Sequence, residues 1–149
     1  MMMNVSELQN NFNDILNKTK KSLALLEASI ESYEPYDPSI NYTSKEREPY
    51  DALCNRYERT VDLITNRLFR AFELLLQGVH DGSYRDCLNR LAKMNIIDQD
   101  INIWLGIKIL RNKVAHDYLD GQLVAIYKDI MATFPILKTT VTKIENFNG

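Results

Sequence analysis

Apolar residues recur along this chain at steps of three and four, with polar residues between them, over five separate stretches. That is the period of a helix burying one face, and no stretch alternates long enough to suggest a strand. Leu8, Phe12, Ile15, Leu23, Leu26 and Ile30 predict a first helix. It is opened by the capping box Ser6-Glu7-Leu8-Gln9 and runs to about Tyr33. Leu53, Tyr57, Val61, Ile64, Leu68, Phe72 and Leu75 form the stripe of a long second helix, stopped near Gly78. Ser83 starts a short third helix carrying Leu88, Leu91 and Met94. Asp98 reads as the N-cap of a fourth, through Ile101, Trp104, Ile107 and Val114. After Asp120-Gly121, a fifth carries Leu123, Tyr127, Ile130, Phe134, Leu137, Val141 and Ile144 as a coiled-coil-like seam. Pro135 should kink that helix or split it in two.

Residues 34–49 break the pattern with Pro35, Pro38 and Pro49 and read as a loop between the two long helices. Tyr33, Tyr36, Tyr42 and Tyr50 in or beside it are expected to pin it to the helices through their rings. The reading is all-α: one domain over residues 1–149, an up-and-down bundle of about five helices. The fourth helix is apolar around much of its circumference, through Ile101, Ile103, Trp104, Leu105, Ile107 and Leu110. One bundle core seldom absorbs so much, so a dimer interface is expected there.

Composition narrows the function classes. A net charge of −2 argues against a protein that coats nucleic acid by bulk electrostatics, but leaves room for a local basic site. No apolar run approaches the ~20 residues that cross a bilayer. The opening MMMNVSELQNN lacks the basic and apolar regions of a secretory signal. Cys54 and Cys87 have no metal-binding spacing and read as reduced thiols. Together these features point to the cytoplasm. No H-E-x-x-H, C-x-x-C or Gly-rich phosphate loop is present, and the carboxylates are scattered.

The strongest candidate for chemistry is Arg111-Asn112-Lys113-Val114-Ala115-His116-Asp117-Tyr118, at the end of the fourth helix. On a regular helix Asn112 and His116 are i,i+4 neighbours, so Asn112 could bond an imidazole nitrogen and set its tautomer. Arg111 lies about 140° away from His116 around the same helix. The two converge on one ligand only if the helix loosens near Asp117 or a second copy of the chain completes the site. A histidine side chain titrates near ~6.5, suited to taking a proton from a ribose 2′-hydroxyl at neutral pH. An arginine can hold the phosphate bidentately and stabilise the charge that develops on it. The set therefore suits phosphodiester cleavage without a metal or other cofactor.

These residues resemble the toxin subunit of HEPN/MNT toxin–antitoxin modules, whose signature is R-x-x-x-x-H-x-Y at a helix end. Arg111, Asn112, Ala115, His116 and Tyr118 fit that pattern, and the similarity covers roughly residues 85 to 147. The resemblance implies a homodimeric, HepT-like endoribonuclease with Arg111 and His116 as the catalytic pair. It also implies a cognate minimal nucleotidyltransferase that neutralises the toxin by transferring AMP to Tyr118, as in a type VII-like pair. AMP there would add bulk and negative charge beside an anion site. Lys108 and Lys113 are the candidate RNA contacts, whereas Arg56, Arg59, Arg67 and Arg70 alternate with acids and read as a solvated face. His80 reads as a polar loop residue. The rival reading is a non-catalytic subunit of the same fold that docks the nucleotidyltransferase and presents its substrate. A plain helical oligomerisation protein is the third possibility.

Overall fold

The computed structural model describes residues 4–116 and 120–147, and everything regular among them is helical. Helix α1 spans Val5–Glu31. Its cap is Asn4, not Ser6. The Asn4 side chain accepts from the Glu7 amide at 2.8 Å, and the Glu7 carboxylate accepts from the Asn4 amide at 3.2 Å. A charged acceptor in the first turn also complements the helix dipole, which Gln9 in the alternative register would not do.

Helix α2 occupies residues 44–77 and is one continuous rod, made of Ser44–Asp62, a π-helical turn Leu63–Leu68 and Phe69–Gln77. It ends at Gly78, whose φ of 75° is the left-handed stop expected from sequence. The loop is shorter than its prolines suggest, because Pro49 lies inside the helix. Thr43 and Glu46 form a capping box six residues earlier. Pro49 then forgoes a single hydrogen bond, to the carbonyl of Lys45, and both residues are exposed to water.

Helix α3 (Tyr84–Lys93) begins at the Ser83 cap as expected. Helix α4 (Asn102–Val114) starts later than Asp98. Asp98 instead accepts from the Asp100 amide, and Asp100 from the Asn102 amide, so two successive Asx turns lead the chain into the helix. Helix α5 (Asp120–Glu145) passes through Pro135 unbroken. Pro135 is exposed, and the lost bond to the Met131 carbonyl costs less there than in the core.

Cross-links between helices fix their directions. Ser22 bonds Thr60 at 2.7 Å and Arg56 reaches the Leu25 carbonyl, so α1 and α2 are antiparallel. Phe69 packs on Trp104 while Asp62 bonds Arg111, so α2 and α4 are antiparallel as well. Lys138 pairs with Glu27 and Lys20 with Glu145, which sets α5 against α1. The result is an up-and-down bundle of α1, α2, α4 and α5, with α3 as a short fifth member among the described residues. Its core is the predicted apolar set, including Leu26, Leu53, Ile64, Leu68, Leu91, Ile130 and Leu137. Trp104 and Ile107 of α4 are buried in this core, and Ile109, exposed by 57%, is the apolar residue α4 leaves most open. No helix among the described residues is long and apolar enough to cross a membrane.

Candidate functional site

Helix α4 ends at Val114, two residues before His116, whose amide bonds the Lys113 carbonyl in a tighter turn. His116 is thereby released from the helical register. The i,i+4 geometry that would pair it with Asn112 no longer applies. The Asn112 side-chain oxygen accepts from Arg111 Nη1 at 3.4 Å instead. Arg111 itself faces α2. Its Nε and Nη2 donate to the two carboxylate oxygens of Asp62 at 2.7 and 2.8 Å, and Nη2 lies 3.1 Å from Glu58. Hydrogen bonding to Asp62 holds the guanidinium protonated and fixes its plane. Nη1, whose one contact among the described residues is the long one to Asn112, is the edge an incoming anion could use.

Glu58 and Asp62 are neighbours one turn apart on α2, and the π-helical turn begins directly after Asp62. Such turns insert a residue into the helical ladder and often coincide with sites. Along the same face Asn55, Arg59, Asn66 and Arg67 join Glu58 and Asp62 in lining an open groove of about 490 Å³. Asn55 also lines a cavity of about 330 Å³ in which His116 is found. One face of α2 therefore connects the surroundings of Arg111 to those of His116. No hydrogen bond joins Arg111 to His116 among the described residues.

The wall of the His116 cavity is aromatic. Tyr36, Tyr50 and Tyr127 pack on one another at centroid distances of 5.1 to 5.5 Å, and Tyr36 stacks on Tyr42. The loop is pinned by these rings, as anticipated, and by the Tyr50 hydroxyl, which donates to the Glu34 carbonyl at 2.8 Å. Burial, with the neighbouring phenols, raises the Tyr50 pKa well above its ordinary value, so the hydroxyl stays neutral. Cys54 also lines the cavity; burial, with Asp51 and Glu58 nearby, pushes its thiol up to about 11. It is not a thiolate nucleophile at neutral pH.

Of the other candidates, Lys108 lies with its ammonium 4.3 Å from the Tyr84 ring centroid, in a separate groove beside Ile109. Lys113 is exposed. Tyr118 lies outside the described residues. Arg56 is structural, bonding Ser29 at 2.8 Å, whereas Arg59 and Arg67 do line the groove. Asp62 and Glu58 were not legible as partners of Arg111. Their i,i+4 spacing marked a shared face, but only the packing of α4 on α2 shows what that face meets.

His80 is more than a loop residue. Its Nδ1 lies 2.7 Å from Glu73, a carboxylate with no exposed surface, and Arg90 clamps the same carboxylate at 2.6 and 2.9 Å. Glu73, His80 and Cys87 place donor atoms within 4.8 Å of one another. The Arg90 guanidinium already supplies the compensating cation there, so the cluster reads as a clasp between α2 and α3. Burial alone would raise the Glu73 pKa, but Arg90 and His80 outweigh it and bring it below the usual carboxylate range. A depressed folded pKa gives stability above the ordinary glutamate range, lost as pH falls through the folded value. Arg90→Ala should therefore destabilise the fold by about 3 kcal/mol in urea unfolding at neutral pH. The deficit should narrow as pH falls through the glutamate range near ~4.3.

Fold and site together define a helical bundle with a polar groove and an aromatic-walled cavity at the end of α4. No family model, curated protein or solved structure matches the chain.

Proposed function

We propose that this protein is a metal-independent endoribonuclease of the HEPN toxin type. It acts in the cytoplasm as a homodimer and is neutralised by a cognate minimal nucleotidyltransferase that transfers AMP to Tyr118. What supports the reading is the R-x-x-x-x-H pattern itself, together with an Arg111 guanidinium whose plane is held by Asp62 and a His116 that is exposed and lines a cavity. In the reaction, His116 takes the proton from a ribose 2′-hydroxyl, and the resulting oxygen attacks the adjacent phosphorus. Arg111 Nη1 donates to a phosphate oxygen as negative charge builds on it. The bond to the 5′-oxygen breaks, that oxygen takes a proton from water while His116 returns its own proton to solvent, and a 2′,3′-cyclic phosphate remains. The exposed Ile109 beside Gly106 on α4 supports a second copy packing near the motif.

Cleavage should accordingly persist in excess EDTA and leave 2′,3′-cyclic phosphate ends, read by mass spectrometry of a short RNA. A strict requirement for Mg²⁺ would overturn the mechanism. The second reading, a non-catalytic subunit that presents substrate to a nucleotidyltransferase, is favoured by one feature. Asp62 and Glu58 already compensate the Arg111 charge. A protein with no cleavage under either condition would support that alternative.

Control through Tyr118 has its own test. Tyr118→Phe keeps the ring and removes only the acceptor oxygen. Cells expressing this variant with the partner should stop growing, while the partner rescues cells expressing the unaltered chain. Full rescue of the variant would place control elsewhere.

A further inference from the structure

The cavity beside His116 has a built polar side as well as an aromatic one. Asp51 and Asn55 are one turn apart on α2, and both line it. Val114 and Ile126 line it too, as do Tyr36, Tyr50 and Tyr127. A planar ligand with apolar faces and a hydrogen-bonding edge suits such a space, and about 330 Å³ lies at the small end for ligand sites. A nucleobase has that form, and single-stranded RNA is read in this way, with aromatic contact to the base and polar groups on its Watson–Crick edge.

We infer that the cavity formed by Asp51, Asn55 and the tyrosine wall is a nucleobase subsite selective for guanine. The choice among bases follows from donor and acceptor order. Guanine alone presents two adjacent donors, N1–H and the N2 amine, which match the two oxygens of one carboxylate. Its O6 then lies beside them for the Asn55 amide to donate to. Adenine offers a single exocyclic donor next to an acceptor nitrogen, which would confront Asp51 with like polarity. Uracil has one ring N–H between two carbonyl oxygens, and cytosine an amine beside an acceptor nitrogen. Each leaves one Asp51 oxygen opposite a lone pair. Arg47, one turn before Asp51 on α2, lines the same cavity and donates to the Tyr36 hydroxyl at 3.2 Å. His116, at the cavity rim, is then placed beside the ribose of the bound nucleotide. The subsite refines the ribonuclease reading and depends on it only for the role of His116.

Binding of the four nucleoside 3′-monophosphates, followed by tyrosine fluorescence or by NMR, tests the inference without requiring cleavage. Guanosine 3′-monophosphate should bind the unaltered protein at least about tenfold more tightly than the other three. Asp51→Asn, at an exposed position, should leave the fold intact and bring the four affinities to within about twofold of one another. His116→Ala should keep the preference. Equal affinities, absence of binding at millimolar nucleotide, or a preference that survives Asp51→Asn would each overturn the subsite. Guanine-selective binding by a protein that cleaves no RNA would sink the ribonuclease reading and leave the subsite standing. Cleavage without guanine preference in either assay would do the reverse.

Discussion

His116→Ala is expected to lower RNA cleavage by about 10²-fold or more, the scale for losing a positioned general base. Thermal or denaturant unfolding should barely change. The side chain is exposed, lies beyond the last residue of α4, and among the described residues has no hydrogen-bond partner whose loss would strand a buried group. Activity and stability should thus separate at this position. A large stability loss with unchanged cleavage would show that His116 braces the chain end and takes no proton.

The second large effect is expected at Arg111, where charge and geometry can be told apart. Arg111→Lys preserves the positive charge, yet a lysine cannot bond both Asp62 oxygens and still offer a fixed donor edge to a phosphate. Cleavage should fall by about 10²-fold, comparable to losing one donor that stabilises a developing oxyanion. The pair is part-exposed, with side-chain exposures of 26% and 36%, so the stability change should stay within about 1 kcal/mol. If Arg111→Lys retains most of the activity, a diffuse positive charge suffices and the Asp62 clamp is incidental. Measuring cleavage and urea midpoint on the same preparations separates these outcomes.

Much of the fold was open to inspection in the residues themselves. The three- and four-residue recurrence of apolar positions marks a buried face wherever a helix exists. The seam from Leu123 to Ile144 in α5 therefore emerges nearly residue for residue. Gly78 and Ser83 announced their boundaries because a left-handed stop and a capping oxygen are local requirements. Boundaries were misplaced where two local devices compete, as between Asn4 and Ser6, or where a proline forgoes one exposed bond that the rest of the helix outweighs, as at Pro49 and Pro135.

The octapeptide from Arg111 to Tyr118 was equally visible as a pattern of residue types, since its chemistry belongs to its side chains. What surrounds it was not. That Arg111 is clamped by Asp62 depends on α4 packing antiparallel to α2, a contact between residues 49 apart in the chain. That Tyr36, Tyr50 and Tyr127 share a cavity with His116 depends on three helices and a loop meeting at one end of the bundle. Sequence periodicity tells a helix which side to bury, because burial responds to polarity alone. Which residues meet across the interface depends on helix order, direction and relative height, and those are set only when the whole core is packed at once.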